Sequence, residues 1–221
     1  MVAHLRKNDT YAELACGFRV GTSTVYRYIR EGLDLLAAKA PTLEQAIEVA
    51  KRKAFVILDG TLLRIDRVGM ASGYDRAFYS GKHRAHGLNA QVIADPVGGL
   101  VWISPPLPGA RHDMGAARDH AIIDALTEHD IAAAADTAYE GEGPTVAVPQ
   151  RRRRKDPETG KFKKLSRNQR EANTAHARRR GPGERAIAEL KNRRVLRKIR
   201  SSSNTADKLI AADQTLMIAG A

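Results

Sequence analysis

Four short apolar runs in the middle of the chain constrain the fold most, because each has the length of a buried strand and is too short for a typical helix. They occupy residues 54–58, 87–94, 100–104 and 131–135. A turn signal at residues 95–99 joins the second and third runs as a hairpin, whereas residues 113–126 have helical periodicity. Three strands, a helix and a further strand predict an α/β fold built on a mixed sheet.

Helical segments are predicted on both sides of this sheet region. Residues 10–39 have the spacing of two amphipathic helices, and residues 41–53 continue as a helix or a linker. Nearer the C-terminus, the glycine-proline-glycine sequence at 181–183 is expected to interrupt a helical region, so that a new helix begins near Glu184. A last apolar helix is predicted over residues 208–218. We therefore expect a small helical region at 1–50 and an α/β domain at 51–221.

The two helices within residues 10–39 are compatible with a DNA-binding helix-turn-helix and with an ordinary helical hairpin. Thr10 and Glu13 have the spacing of a capping box for the first helix, and Thr22 or Ser23 can cap the second. A break at residues 19–21 separates them. The polar face of the second helix suits phosphates and base edges, which favours the DNA-binding alternative. The residues expected to contact DNA from this face are Ser23, Thr24, Arg27 and Arg30.

Positive charge is concentrated in one segment of the chain. The formal net charge is +12, yet residues 151–200 hold 20 Lys or Arg against 5 Asp or Glu, so the remainder is slightly acidic. Such a concentration favours a polyanionic partner, with nucleic acid as the first candidate, over a merely solvated face. Residues 151–170 are predicted to form a mobile basic loop. Its candidate contacts to the DNA backbone are Arg151, Arg152, Arg153 and Arg154.

Cysteine content and hydropathy exclude several other classes of protein. Cys16 is the only cysteine, so the chain has no intrachain disulfide and no cysteine-based zinc cluster. No apolar run approaches the roughly 20 residues of a membrane span, and the N-terminus lacks the apolar stretch of a signal peptide. We therefore expect an intracellular protein that does not associate with membranes.

Three carboxylates are candidate ligands for a catalytic metal ion. Asp59 and Asp136 follow apolar strand-like runs, and Glu184 begins a predicted helix among basic residues. Carboxylate oxygens suit Mg²⁺, and two such ions can activate a hydroxyl and stabilise the leaving oxygen at phosphorus. Spacing alone leaves other choices open, because an Asp after a strand is often only a turn or capping residue. The other candidates by spacing are Asp66, Asp95, Asp113 and Glu140.

Several segments, taken in order, resemble DDE-type transposases of bacterial insertion sequences. Residues 58–61 (Leu-Asp-Gly-Thr) are similar to the family's first-aspartate motif, and residues 108–113 resemble its Pro-Gly-x-x-His-Asp motif. Residues 135–141 look like the second-aspartate motif, and residues 79–95 are similar to the second-strand region. Arg180, Glu184 and Lys191 match the spacing of the Arg-x3-Glu-x6-Lys motif. The resemblance extends over roughly residues 10–200.

The resemblance implies a ribonuclease H-like catalytic domain preceded by an all-α helix-turn-helix. Asp59, Asp136 and Glu184 would be the catalytic and metal-binding carboxylates, holding two Mg²⁺ ions for which Mn²⁺ could substitute. Arg180 and Lys191 would contact DNA. The implied activity is cleavage at terminal inverted repeats of a transposon, followed by strand transfer into double-stranded target DNA. Such proteins work as homo-oligomers on DNA, and this one would be located in the bacterial cytoplasm with the nucleoid.

Two positions leave further alternatives open. Asp113 either belongs to the catalytic site or caps the helix that begins there. Only nine residues precede Thr10, where relatives have more helical sequence, so we expect a chain truncated at its N-terminus. A truncated copy could be a catalytically inactive remnant that binds specific DNA sequences. A nuclease of the same fold acting on other nucleic acids is a third, weaker alternative.

Overall fold

The computed structural model describes residues 1–66, 75–152 and 155–220, apart from the side chains of residues 203 and 204. Four helices come first: α1 (Val2–Lys7), α2 (Tyr11–Phe18), α3 (Thr22–Ala37) and α4 (Leu43–Ala50). The capping box of Thr10 and Glu13 is confirmed at the start of α2. The prediction that Thr22 or Ser23 caps α3 is wrong, because Gly21 occupies the N-cap position and makes no side-chain cap bond.

The strands form one mixed sheet in the described part of the chain. They are β1 (Val56–Ile65), β2 (Tyr79–Ser80), β3 (Ala85–Ala94), β4 (Leu100–Ile103), β5 (Leu107–Pro108), β6 (Ala133–Ala135), β7 (Val146–Ala147) and β8 (Lys198–Ile199). The order is β2-β3-β1-β6-β7; β4 and β5 pair with β3, and β8 pairs with β1. β1 is antiparallel to β3 and parallel to β6. The predicted α/β class with a mixed sheet is confirmed.

The remaining helices flank this sheet. They are α5 (Asp75–Phe78), α6 (Asp113–Asp119), α7 (Ile122–Glu128), α8 (Arg167–Asn192), α9 (Arg194–Arg197) and α10 (Ser203–Ala219). The single helix predicted over 113–126 is in fact α6 and α7, separated where Ala121 adopts a left-handed backbone with φ of 53°. The basic loop predicted over 151–170 ends earlier, because a capping box of Ser166 and Gln169 starts α8.

Helix α8 contradicts the predicted interruption at residues 181–183. It runs through Pro182, whose missing N–H leaves one helical carbonyl without its usual partner. At this point α8 packs closely against the sheet. A Cβ on Gly183 would lie 2.6 Å from Ile57 Cγ2, so only glycine lets α8 approach β1 this closely. Earlier in α8, His176 Nε2 donates to the Ala135 carbonyl at the end of β6, at 2.8 Å.

Two apolar clusters hold these layers together. One joins α3 and α10 to the sheet through residues such as Ile29, Leu63 and Leu209. The other packs α4 and α7 against the opposite part of the sheet, with Ile47, Leu58 and Leu126 among its members. The helical N-terminal region is therefore continuous with the core that surrounds the sheet. Among the residues that the structure describes, no helix is long and apolar enough to cross a membrane.

Candidate catalytic site

Asp59 and Asp136 lie side by side where strand β6 ends. The parallel register pairs Leu58 with Ala135, so the next residue on each chain segment is an aspartate. Asp136 follows β6 directly, as predicted. Asp59 is not at a strand end: it lies within β1, because β1 continues to pair with β3 after β6 has stopped, with Asp59 opposite Val92. The open edge of β1 thus begins at Asp59.

The Asp59 carboxylate is largely buried, with 16% of its side chain exposed. Its Oδ2 accepts a hydrogen bond from Arg180 Nη1 at 3.0 Å, and its Oδ1 accepts one from the Gly60 amide at 2.9 Å. Burial raises the pKa of Asp59 to about 6; Arg180 opposes this shift and the neighbouring Asp136 adds to it. A buried carboxylate beside a second one is stabilised by any cation placed between them.

Glu184 approaches this pair only through Arg180. Its side chain is 68% exposed and accepts a hydrogen bond from Arg180 Nη2 at 3.2 Å. One guanidinium, four residues earlier on the continuous helix α8, therefore joins Glu184 to Asp59. Across the described ranges, no three or more His, Cys, Asp or Glu side chains are grouped closely enough to hold a metal ion. The hard oxygens of Asp59 and Asp136 fit a divalent cation, whereas Glu184 in this conformation does not complete the site.

Lys191 completes the α8 motif near the same carboxylates. It is half-buried, and desolvation together with nearby Arg64 lowers its pKa, while the negative charge of Asp59 acts in the opposite direction. Arg180, Glu184 and Lys191 therefore all lie on one continuous helix, from which Arg180 contacts Asp59.

A largely buried chain of hydrogen bonds begins beside β1, where Gln91 of β3 pairs with Gly60. Tyr139 Oη donates to Gln91 Oε1 at 2.5 Å, and Gln91 Nε2 donates to Asn89 Oδ1 at 2.9 Å. Asn89 Nδ2 donates to Asp113 Oδ1 at 2.9 Å, and Lys82 Nζ donates to Asp113 Oδ2 at the same distance. Sequence reasoning missed this chain. Its only signal was Asn89 and Gln91, two polar residues on one face of the strand predicted at 87–94, which is otherwise apolar.

Asp113 belongs to this chain and does not cap helix α6. The capping role falls to His112, whose side chain accepts a hydrogen bond from the Gly115 amide. The Asp113 carboxylate instead lies against Gly60, the residue after Asp59: a Cβ on Gly60 would be 2.2 Å from Asp113 Oδ1. The negative charge of Asp113 also adds, as the smallest of its causes, to the raised pKa of Asp59.

Gly60→Ala should therefore destabilise the protein by about 1–3 kcal/mol, the usual cost of overpacking a filled site. The added methyl displaces the Asp113 carboxylate from its bonds with Asn89 and Lys82. Urea unfolding measures the change. Gly81→Ala is the matched control, because a Cβ there meets nothing within 4 Å. Equal stability of the two variants would contradict the close contact at Gly60.

The predicted DNA-binding residues are distributed over two surfaces. Ser23 and Arg27 are exposed on α3 and Thr24 is partly exposed, away from the buried face of Val25, Ile29 and Leu33. Arg30 differs from them, because it is turned along the helix and donates to the Tyr26 hydroxyl at 2.7 Å.

Arg151 lies close to the aspartates. It donates to the Thr137 carbonyl at 2.8 Å, one residue after Asp136, and pairs with Glu140 at 3.4 Å. Arg152 is exposed beside it. Arg153 and Arg154 lie outside the described residues. A cleft of about 430 Å³ borders the site, and Lys82, Asp136 and Arg151 are among the residues that line it.

Comparison with known proteins gives two family matches. Residues 58–217 match the family described as DDE superfamily endonuclease, and residues 2–42 match the helix-turn-helix of DDE superfamily endonuclease. The searches of curated proteins and of solved structures return no match. The first family covers more than half of the chain and includes Asp59, Asp136 and Glu184. Members of this superfamily are nucleases that generally use divalent metal ions. The chain belongs to the DDE superfamily endonucleases and carries the helix-turn-helix that accompanies them.

Proposed function

We propose that the protein is a DNA transposase that binds the terminal inverted repeats of its element, cleaves a phosphodiester and joins the freed 3′-hydroxyl to target DNA. The observation that carries this proposal is the adjacency of Asp59 and Asp136 at the open edge of β1, in a chain that belongs to the DDE endonucleases. The helical region up to residue 50 would recognise the repeat. Residues 51–221 would perform the chemistry, with the protein acting as a homo-oligomer at the nucleoid.

Asp59 and Asp136 would hold the divalent ions, two Mg²⁺ or Mn²⁺ in our proposal, and Glu184 would join them once it leaves Arg180. Bound ions of this kind supply an activated hydroxyl and stabilise the leaving oxygen. The chain's own groups orient the DNA. Arg180, released from the carboxylates, would face the scissile phosphate; Lys191 and the basic residues from Arg151 onward would hold the flanking backbone.

A second candidate function is a catalytically inactive remnant that binds specific DNA sequences. The observation favouring it is the Arg180 guanidinium, which pairs with both Asp59 and Glu184 and so takes the place of a cation between them. In such a protein this ion pair would be permanent, and DNA binding through Ser23, Thr24 and Arg27 would be the whole activity.

Cleavage of a labelled duplex that ends in the element's own terminal repeat separates the two candidates. We expect nicks at the repeat boundary in Mg²⁺ or Mn²⁺ and none in EDTA, with a scrambled duplex of equal length as the control. Specific binding of the repeat without a cut at any metal concentration would support the remnant and overturn the enzyme. Equal cleavage of the scrambled duplex would indicate a general nuclease.

A further inference from the structure

A groove of about 650 Å³ lies between helix α3 and the segment that leads into α10. It lies apart from the catalytic aspartates, and none of the residues that line it is an assigned catalytic group. We refer to it as the Arg30–Arg200 groove. One wall consists of Tyr11, Tyr26, Arg30, Leu33 and Asp34, and the other of Arg200, Ser201, Ser202, Thr205 and Lys208.

The charges in the groove are not balanced. It contains three cationic side chains, Arg30, Arg200 and Lys208, against the single carboxylate of Asp34. Asp34 is already paired with Lys208 across the groove. Arg200 is exposed and has no hydrogen bond or ion pair with any residue in the described part of the chain. Two guanidinium groups therefore remain available to an anion.

The Arg30 side chain is fixed on its wall of the groove by Tyr26. Its Nη1 donates to the Tyr26 hydroxyl at 2.7 Å, and its guanidinium carbon lies 5.5 Å from the centre of the Tyr26 ring. The Tyr26 ring in turn contacts Tyr11 edge to face, with centroids 5.9 Å apart. Because the tyrosine takes one Arg30 nitrogen as donor, the other guanidinium nitrogens remain free to bind a ligand. Such preorganisation lowers the entropy cost of binding.

The two walls are fixed relative to each other. Besides the Asp34–Lys208 pair, Thr215 Oγ1 of α10 donates to the Leu36 carbonyl of α3 at 2.9 Å. Buried residues of both helices, including Leu33 and Leu209, belong to one apolar cluster. A ligand held in the groove would therefore be held at a fixed position relative to the sheet as well as to α3.

We propose that the Arg30–Arg200 groove binds a phosphodiester of the DNA backbone, beside the base pairs that α3 contacts. This inference rests on the proposed function. The charge selects an anion, and the exposed polar face of α3 next to the groove, with Ser23 and Arg27, makes DNA the anion presented there. Arg30 is then a backbone contact shared with Arg200, and it carries no sequence information. The two walls together would set the register of the DNA against the catalytic sheet.

Equilibrium binding of a labelled duplex carrying the terminal repeat, in EDTA and over a range of salt concentrations, tests the proposal. Arg200→Ala should weaken binding about fivefold at physiological salt and lower the slope of log affinity against log salt by about one, as for one lost phosphate contact. Arg30→Ala should weaken binding and lower the salt slope by similar amounts. Both should affect the repeat and a scrambled duplex equally, whereas Arg27→Ala should reduce the preference for the repeat.

Arg52→Ala is the matched control, since Arg52 is exposed on the turn before β1 and does not line the groove. If Arg200→Ala changes affinity and salt slope no more than Arg52→Ala does, while Arg27→Ala still weakens binding, the groove assignment is wrong and the proposed function stands. A wild-type protein that binds neither duplex would overturn both. Binding of poly-glutamate, a model for an acidic protein segment, is measured in the same way. If Arg200→Ala binds DNA like the wild type but no longer binds poly-glutamate, the groove binds an acidic protein segment and the proposal is overturned.

Discussion

Asp136→Asn should lower the rate of DNA cleavage about a thousandfold and leave DNA binding nearly unchanged. Loss of a carboxylate that holds the catalytic ions forfeits several kcal/mol of transition-state stabilisation, and each 1.4 kcal/mol is about tenfold in rate. The fold should survive, because Asp136 Oδ1 accepts the Ala138 amide hydrogen and the asparagine Oδ1 can do the same. Single-turnover cleavage of the terminal-repeat duplex in Mg²⁺ measures the rate, and binding in EDTA measures affinity.

Asp59→Asn should reproduce this result, since the two aspartates adjoin in the β1–β6 register. Asp124→Asn is the matched control: Asp124 is exposed on α7, and removing its charge should leave the rate unchanged. Wild-type cleavage by Asp136→Asn would refute the assignment of the aspartates. Loss of duplex binding along with cleavage would show that the substitution acts through folding or DNA contact and not through metal binding.

The sequence was most informative where a signal depends on neighbouring residues. The turn at residues 95–99 and the apolar runs around it predicted the β3–β4 hairpin, which pairs Val92 with Ile103. The capping box at Thr10 depends on residues three apart, and it is present. Asp136 was expected after a strand because a short apolar run precedes it. In each case the signal is local: a turn, a capping pair or an apolar run within one segment.

The sequence was misleading where contacts between distant segments outweigh local preference. Pro182 and its flanking glycines are poor helix residues, yet α8 continues through them, with Gly183 packed against Ile57 of β1. Asp59 was expected at a strand end, because no local signal shows that β3 extends the pairing of β1 past Leu58. The positions of Asn89 and Asp113 in one buried chain depend on segments 24 residues apart. These outcomes follow from tertiary packing, which periodicity does not encode.

Asp213 of α10 should make the protein less stable as the pH rises from about 5 to about 8, by on the order of 3 kcal/mol. Its side chain is fully buried, and neither carboxylate oxygen has a hydrogen-bond partner among the described residues. Arg193 Nε, at 3.8 Å, is too distant for a hydrogen bond and only partly compensates the charge. Burial therefore raises the pKa of Asp213 to about 7.

The direction of this effect follows from proton binding. Between the unfolded pKa near 4 and the folded pKa near 7, the folded state binds the proton and the unfolded state does not, so stability falls through this interval and then levels. Asp213→Asn should remove this part of the pH dependence and exceed the wild type in stability at about pH 8. Urea unfolding at both pH values measures it, with Asp207→Asn, exposed on the same helix, as the control. An equal pH dependence in wild type and Asp213→Asn would contradict this prediction. It would show that Asp213 is ionised in the folded protein throughout this range. Arg193 or solvent would then stabilise its charge as well as water does in the unfolded chain.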